Sequence, residues 1–209
     1  MPARSKTLEG NALSPKSLRV IKPEIRVLGV DDGKFIPHSK AQVPVVGVVF
    51  RGGYWLDGVM STQITVDGFD ATAKISSMIR NSPHCKQLRV VMLNGITFGG
   101  FNVVDIKALN AETNLPVIAV TTRKPDLTRI HLALKNLPNS EERWRAVVTA
   151  GEIFPVVTRG GEQGVYVEVA GVAKEVAVEI LRLTATRSKI PEALRVAHLV
   201  ASGISLYTR

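Results

Sequence analysis

Asp31 and Asp32 stand side by side after the apolar run Ile25–Val30, where a β-strand is expected to end. Adjacent carboxylates at a strand terminus can hold a divalent ion through oxygen ligands, and such an ion can activate water for phosphodiester hydrolysis. The same Asp-Asp-Gly triplet is also good turn chemistry. A second group is the small-residue loop Asn94-Gly95-Ile96-Thr97-Phe98-Gly99-Gly100, between an apolar strand and an expected helix. Its backbone N–H groups and the helix N-terminus suit an anion. It is neither a Walker A loop nor a GxGxxG fingerprint, since the lysine and the glycine spacing are missing. A third group, Thr121-Thr122-Arg123-Lys124, offers two hydroxyls and two cations after the next apolar run and suits phosphate oxygens. Asp67 and Asp70 flank the start of an expected helix and are further candidates for a metal, although both are common helix-start residues.

Other reactive residues carry less. His38, His84, His131 and His198 show no metal spacing, and His198 sits among apolar residues of the last expected helix, where a packed or hydrogen-bonded histidine is the simpler reading. The single cysteine, Cys85, follows His84, but sequence neighbours rarely form a nucleophile–base pair. One cysteine also excludes an internal disulfide and a cysteine-type zinc site, which fits a reducing cytoplasm. No GxSxG or HExxH motif is present. The N-terminus lacks the apolar stretch of a signal peptide, and no run is long enough for a membrane span.

The elements that must position these residues follow from the change of hydrophobic period. Ile25–Val30, Val43–Arg51 and Tyr54–Thr65 read as strands, the last two joined at Gly52-Gly53. Together they predict a three-stranded antiparallel meander. Helix Phe69–Asn81, strand Leu88–Leu93, helix Phe101–Thr113 and strand Pro116–Val120 follow, an order that implies parallel crossovers. The second half predicts helices Asp126–Leu137 and Ser140–Ala150. A hairpin of Phe154–Val157 with Gly164–Val169, turning at Arg159–Glu162, comes next, then helices Val172–Thr184 and Pro191–Ile204. At 209 residues this is one domain, residues 25–209, behind a basic arm or irregular segment, residues 1–24.

The net charge of +9 is concentrated at the ends: residues 1–26 and 182–209 each carry +4, leaving the centre nearly neutral. Basic ends are an electrostatic footprint for nucleic acid as a partner.

The order of elements is that of the ribonuclease H-like fold. The segments Leu28–Gly33, Met92–Asn102, Leu115–Val120 and Ile190–His198 resemble an archaeal family nicknamed endonuclease dubious, a distant relative of endonuclease V. The resemblance implies a mixed α/β sheet and nucleic-acid cleavage with Mg²⁺ or Mn²⁺ held by acidic residues, and no organic cofactor. Endonuclease V places its first acidic residue at the end of strand one, which Asp31 matches. Its Glu in the helix after strand three has no counterpart, because no Glu lies between Met60 and Arg80, so Asp67 or Asp70 would substitute. Its third carboxylate falls at Asn94, its lysine near Thr122, and its late histidine near Gly171. Asn94 can offer a carbonyl oxygen but no charge, which weakens attraction for Mg²⁺. Three functions therefore stay open: a metal-dependent nuclease, a catalytically inactive binding module, and a binder of nucleotides or small phosphorylated metabolites.

Overall fold

In a computed structural model, residues 21–159 and 164–205 are described; most of the expected basic arm, most of the Arg159–Glu162 turn and the last four residues lie outside them. Along the chain the elements are β1 (Arg26–Asp32), β2 (Gln42–Arg51), β3 (Trp55–Thr65), α1 (Ala71–Arg80), β4 (Val90–Asn94), β5 (Thr97–Phe98), β6 (Asn102–Val103), α2 (Ile106–Thr113), β7 (Val117–Thr121), α3 (Leu127–Leu134), α4 (Ser140–Thr149), β8 (Phe154–Val156), β9 (Val165–Ala170), α5 (Lys174–Thr184) and α6 (Glu192–Ile204).

Seven strands form one mixed sheet in the order β3-β2-β1-β4-β7-β9-β8. The meander β1-β2-β3 is antiparallel, β1-β4-β7 is parallel, and β9 returns antiparallel to β7. This is the mixed α/β, ribonuclease H-like arrangement expected from the sequence. The central strands are nearly continuous apolar runs because helices cover both faces. Leu28, Val30, Val91, Leu93, Val117 and Ala119 pack under α1, α2 and α4. Val27, Val90, Met92, Ile118 and Val120 pack under α5 and α6. Among the described residues no helix is long and apolar enough to cross a membrane.

Two boundaries differ from the sequence expectation in ways that shape the site. Strand β1 continues through Asp31 and Asp32, whose backbones stay paired opposite Val46 and Val45. The acid pair is thus inside the ladder, not in a turn. Helix α2 begins at Ile106, not at Phe101. Thr97–Phe98 and Asn102–Val103 pair as a short antiparallel ladder, and Asp105 then caps α2 by accepting from the N–H groups of Lys107 and Ala108.

Helix α6 lies directly along β1. A Cβ at Gly29 would overlap the backbone of Ala193, and one at Gly33 would overlap the Ser205 hydroxyl. Two side-chain-free positions on either side of Asp31 therefore let the helix seat against the strand. His198 lies between those two contact points.

Candidate functional site

The parallel register of β1 and β4 pairs Val30 with Leu93, so Asp31 and Asn94 stand next to each other at the C-terminal ends of the two strands. Open α/β sheets present ligand sites at such strand ends. The Asn94 Nδ2 donates to Oδ2 of Asp31 at 3.0 Å, and Nδ1 of His198 lies 2.8 Å from the same oxygen. The other oxygen, Oδ1, accepts from the backbone N–H of Asp32 at 2.9 Å. Asp31 is only 2% exposed, whereas the His198 side chain is 62% exposed. A buried carboxyl is thus reached from solvent through an accessible histidine.

Asp32 is fixed separately: its Oδ2 accepts from the N–H of Gly99 at 2.7 Å. Burial pushes both carboxyls up from their ordinary range. For Asp31 the hydrogen bonds from Asn94, His198 and Asp32 work against that rise. For Asp32 burial raises the value to about 6; the Gly99 N–H opposes this and the neighbouring Asp31 charge reinforces it. Two adjacent carboxyls held in low dielectric oppose each other's ionisation, and His198 offsets part of that cost for Asp31.

Of the other expected ligands, Asp67 and Asp70 do not join this pair. Asp67 accepts from the N–H of Phe101 at 2.9 Å and from the N–H of His38 at 3.2 Å. Asp70 accepts from Asn102 Nδ2 at 2.6 Å and from the N–H of Thr65. Both organise loops. Among the described residues no three His, Cys, Asp or Glu side chains cluster in metal-binding geometry.

The glycine-rich loop is also built differently from an anion cradle. The N–H of Gly95 donates to Val120 O, that of Gly99 to Asp32 and that of Phe101 to Asp67. Gly95, Gly99 and Gly100 take positive φ, and a Cβ at Gly100 would overlap Asp67 Oδ1. Thr97 pairs with Val103. Through the N–H groups of Gly99 and Phe101 the loop thereby clamps carboxylates of the protein itself. By contrast, Thr122, Arg123 and Lys124 are exposed just beyond the level of Asn94, which pairs with Val120. They stay available to phosphate.

Two residues were not marked as functional by the sequence. His198 is the histidine that reaches the acid pair, not a residue near position 171. Its signal was spatial: His198 lies one helical turn (i, i+4) after Leu194, whose backbone rests on Gly29 together with that of Ala193. Arg143, 2% exposed, is the second. Its Nε donates to Pro138 O, its Nη1 to Gly68 O and Phe101 O, and its Nη2 to Asp67 O. One buried guanidinium thus ties together the β3–α1 turn, the glycine-rich loop and the start of α4.

A family profile described as Endonuclease dU matches residues 23–205. The UPF0215 protein of Methanopyrus kandleri is 53% identical over 188 residues, 90% of this chain and 95% of that one. A crystal structure of a protein of unknown function from Archaeoglobus fulgidus shares 40% identity and a TM-score of 0.77, over 86% of this chain and 98% of that chain. Endonuclease V of Ciona intestinalis, crystallised with a DNA containing an inosine followed by a ribo-adenosine, gives a TM-score of 0.56 at 15% identity, over 88% of this chain and 86% of that chain. At that identity the likeness concerns the fold. By its profile match and its sequence identity to these archaeal relatives, the chain belongs to the Endonuclease dU family.

Proposed function

We propose that this protein binds nucleic acid and hydrolyses its phosphodiester backbone in a metal-dependent reaction centred on Asp31 and Asp32. The observation that carries the reading is the buried Asp31 carboxyl at the end of the central strand, one oxygen of which meets both Asn94 and His198. The family description, which names an endonuclease, and the shared fold with a DNA-bound endonuclease V support it.

A divalent cation fits the donor chemistry. Two neighbouring carboxyls raised by burial gain from a positive charge, and Mg²⁺ is commonly held by one or two carboxylates plus substrate phosphate. Asp31 and Asp32 would hold the ion, with the Asn94 amide as a neutral neighbour. When bound, Mg²⁺ or Mn²⁺ supplies an activated water and stabilises charge at the phosphorus. The chain's own residues do the positioning. Asn94 and His198 fix the Asp31 carboxyl, Gly99 fixes that of Asp32, and exposed Arg123 and Lys124 attract the backbone. The basic residues Arg4, Lys6, Lys16 and Arg19 in the N-terminal arm would add sequence-independent attraction.

Incubation with uracil- and inosine-containing DNA and RNA, with Mg²⁺ or Mn²⁺, tests the activity. Cleavage lost in Asp31→Ala supports it; cleavage that survives the substitution removes the site. The neutral Asn94 favours one other reading, a binding module without catalysis. Oligonucleotide binding with no calorimetric Mn²⁺ site would establish that reading instead.

A further inference from the structure

The loop between β1 and β2 leaves the sheet directly after Asp32 and carries residues that the site described above does not use. Residues 34–41 are all exposed and include Lys34, Phe35, Ile36, His38 and Lys40, with no acidic residue among them. Phe35 is 36% exposed and Ile36 75% exposed. Two neighbouring apolar side chains are thus displayed between two cations, with only Gly33 and Lys34 separating them from the carboxylate pair.

The loop is also held in shape. The N–H of Gly33 donates to Pro44 O at 2.8 Å, that of Lys34 to the Ser205 hydroxyl at 3.0 Å and that of Ser39 to Ile36 O at 3.3 Å. Asp67 receives the N–H of His38, and its other oxygen receives the N–H of Phe101. One carboxylate therefore joins this loop to the glycine-rich loop, whose Gly99 holds Asp32. The backbone is fixed at both ends and in the middle, while Ile36 stands in solvent and Phe35 presents about a third of its surface to it.

We infer that this loop is a contact for unpaired nucleotides: the apolar pair stacks on or packs against exposed bases, and Lys34 and Lys40 meet the flanking phosphates. Aromatic stacking beside cations is sequence-tolerant because every base has a π-face, and it favours single strands, whose bases are free to stack on protein. The occupant is nucleic acid because the cationic rim is complementary to a polyanion and the loop continues from the proposed phosphodiesterase site. The inference rests on that functional reading and specifies its substrate as a single-stranded or locally unpaired stretch.

Anisotropy titrations of the full chain in EDTA, with labelled single-stranded and duplex oligonucleotides, test it. Phe35→Ala combined with Ile36→Ser should weaken single-strand binding about tenfold, the size of one lost base stack, with duplex binding nearly unchanged. The melting temperature should stay at the wild-type value, because both side chains lie outside the core. Lys34→Ala with Lys40→Ala should reduce the slope of log K against log salt by about 0.7 per lost contact on a single strand. Phe35→Trp should keep wild-type affinity, and its fluorescence should be quenched by the oligonucleotide. Unchanged single-strand affinity in the apolar double variant overturns the inference while leaving the functional reading in place. Quenching by anionic vesicles but by no oligonucleotide overturns it too. A wild-type protein that binds neither oligonucleotide overturns both readings at once.

Discussion

The Nδ1 atom of His198 lies 2.8 Å from Oδ2 of Asp31, although 167 residues separate the two in the chain. The contact exists because α6 seats on β1 at Gly29 and Gly33, on either side of the acid. The histidine is mostly exposed, but it partners a buried carboxyl, so His198→Ala should lower the melting temperature modestly. Groups that orient a metal-binding carboxylate commonly matter 10–100-fold for metal affinity or activity. A drop of that order in Mn²⁺ affinity by calorimetry, and in cleavage, is expected. Unchanged values for both would show that the contact only packs the helix.

Asn94→Asp exchanges an amide donor for a carboxylate beside Asp31. In EDTA the variant should melt below wild type, because a 3.0 Å hydrogen bond becomes a repulsion between the buried Asp31 and a new acid beside it. With Mn²⁺ the added charge should enlarge the metal-induced rise in melting temperature, since bound ligand stabilises by RT ln(1 + [L]/Kd). A metal-induced rise no larger than that of wild type would count against a cation between these strands.

Glu168 on β9 supplies a pH test. It is 4% exposed, and burial pushes its carboxyl up to about 7. The folded protein therefore holds a proton that the unfolded chain releases at lower pH, so stability falls as pH rises through that window. The effect is absent well below the unfolded value and complete above about pH 7. At about 1.36 kcal/mol per pKa unit it reaches roughly 3 kcal/mol at most. Glu168→Gln should match wild type near pH 4 and melt several degrees higher at pH 8. A gap that does not change with pH would rule out this origin. Asp32, raised to about 6, adds a decline of the same sign to both proteins.

Arg143 supplies a test of hydrogen-bond geometry. Arg143→Met leaves four backbone carbonyls without their donor, each unmet group costing about 1–3 kcal/mol when buried. A loss of roughly 3–5 kcal/mol in denaturant unfolding is expected. Arg143→Lys should rescue little, because an ammonium cannot reproduce the planar fork. Near-wild-type stability of Arg143→Lys would show that charge, not geometry, is what the position requires.

The layout of the sheet was legible because its central strands are apolar runs separated by clear turns. Asp31 and Asn94 were legible for the same reason, since each closes a buried run at the edge where parallel strands present ligands. What stayed hidden depends on contacts remote in sequence. His198 reads as a helix residue until Gly29 and Gly33 show how closely α6 approaches β1. Arg143 is one residue of an expected helix until its four carbonyl partners are assembled from three segments. The glycine-rich loop misled in a specific way: its N–H groups do bind anions, but the anions are Asp32 and Asp67.

The most direct measurement compares wild type and Asp31→Asn for nicking of uracil- or inosine-containing DNA in Mn²⁺. Asn nearly preserves the shape of the side chain and removes its charge. It also turns one acceptor oxygen into a donor facing Asn94 or the Asp32 N–H, so a somewhat lower melting temperature is expected and a cooperative melt checks that the variant is folded. Metal-dependent nicking by wild type should fall to background in this folded variant. Equal nicking by both proteins would contradict it.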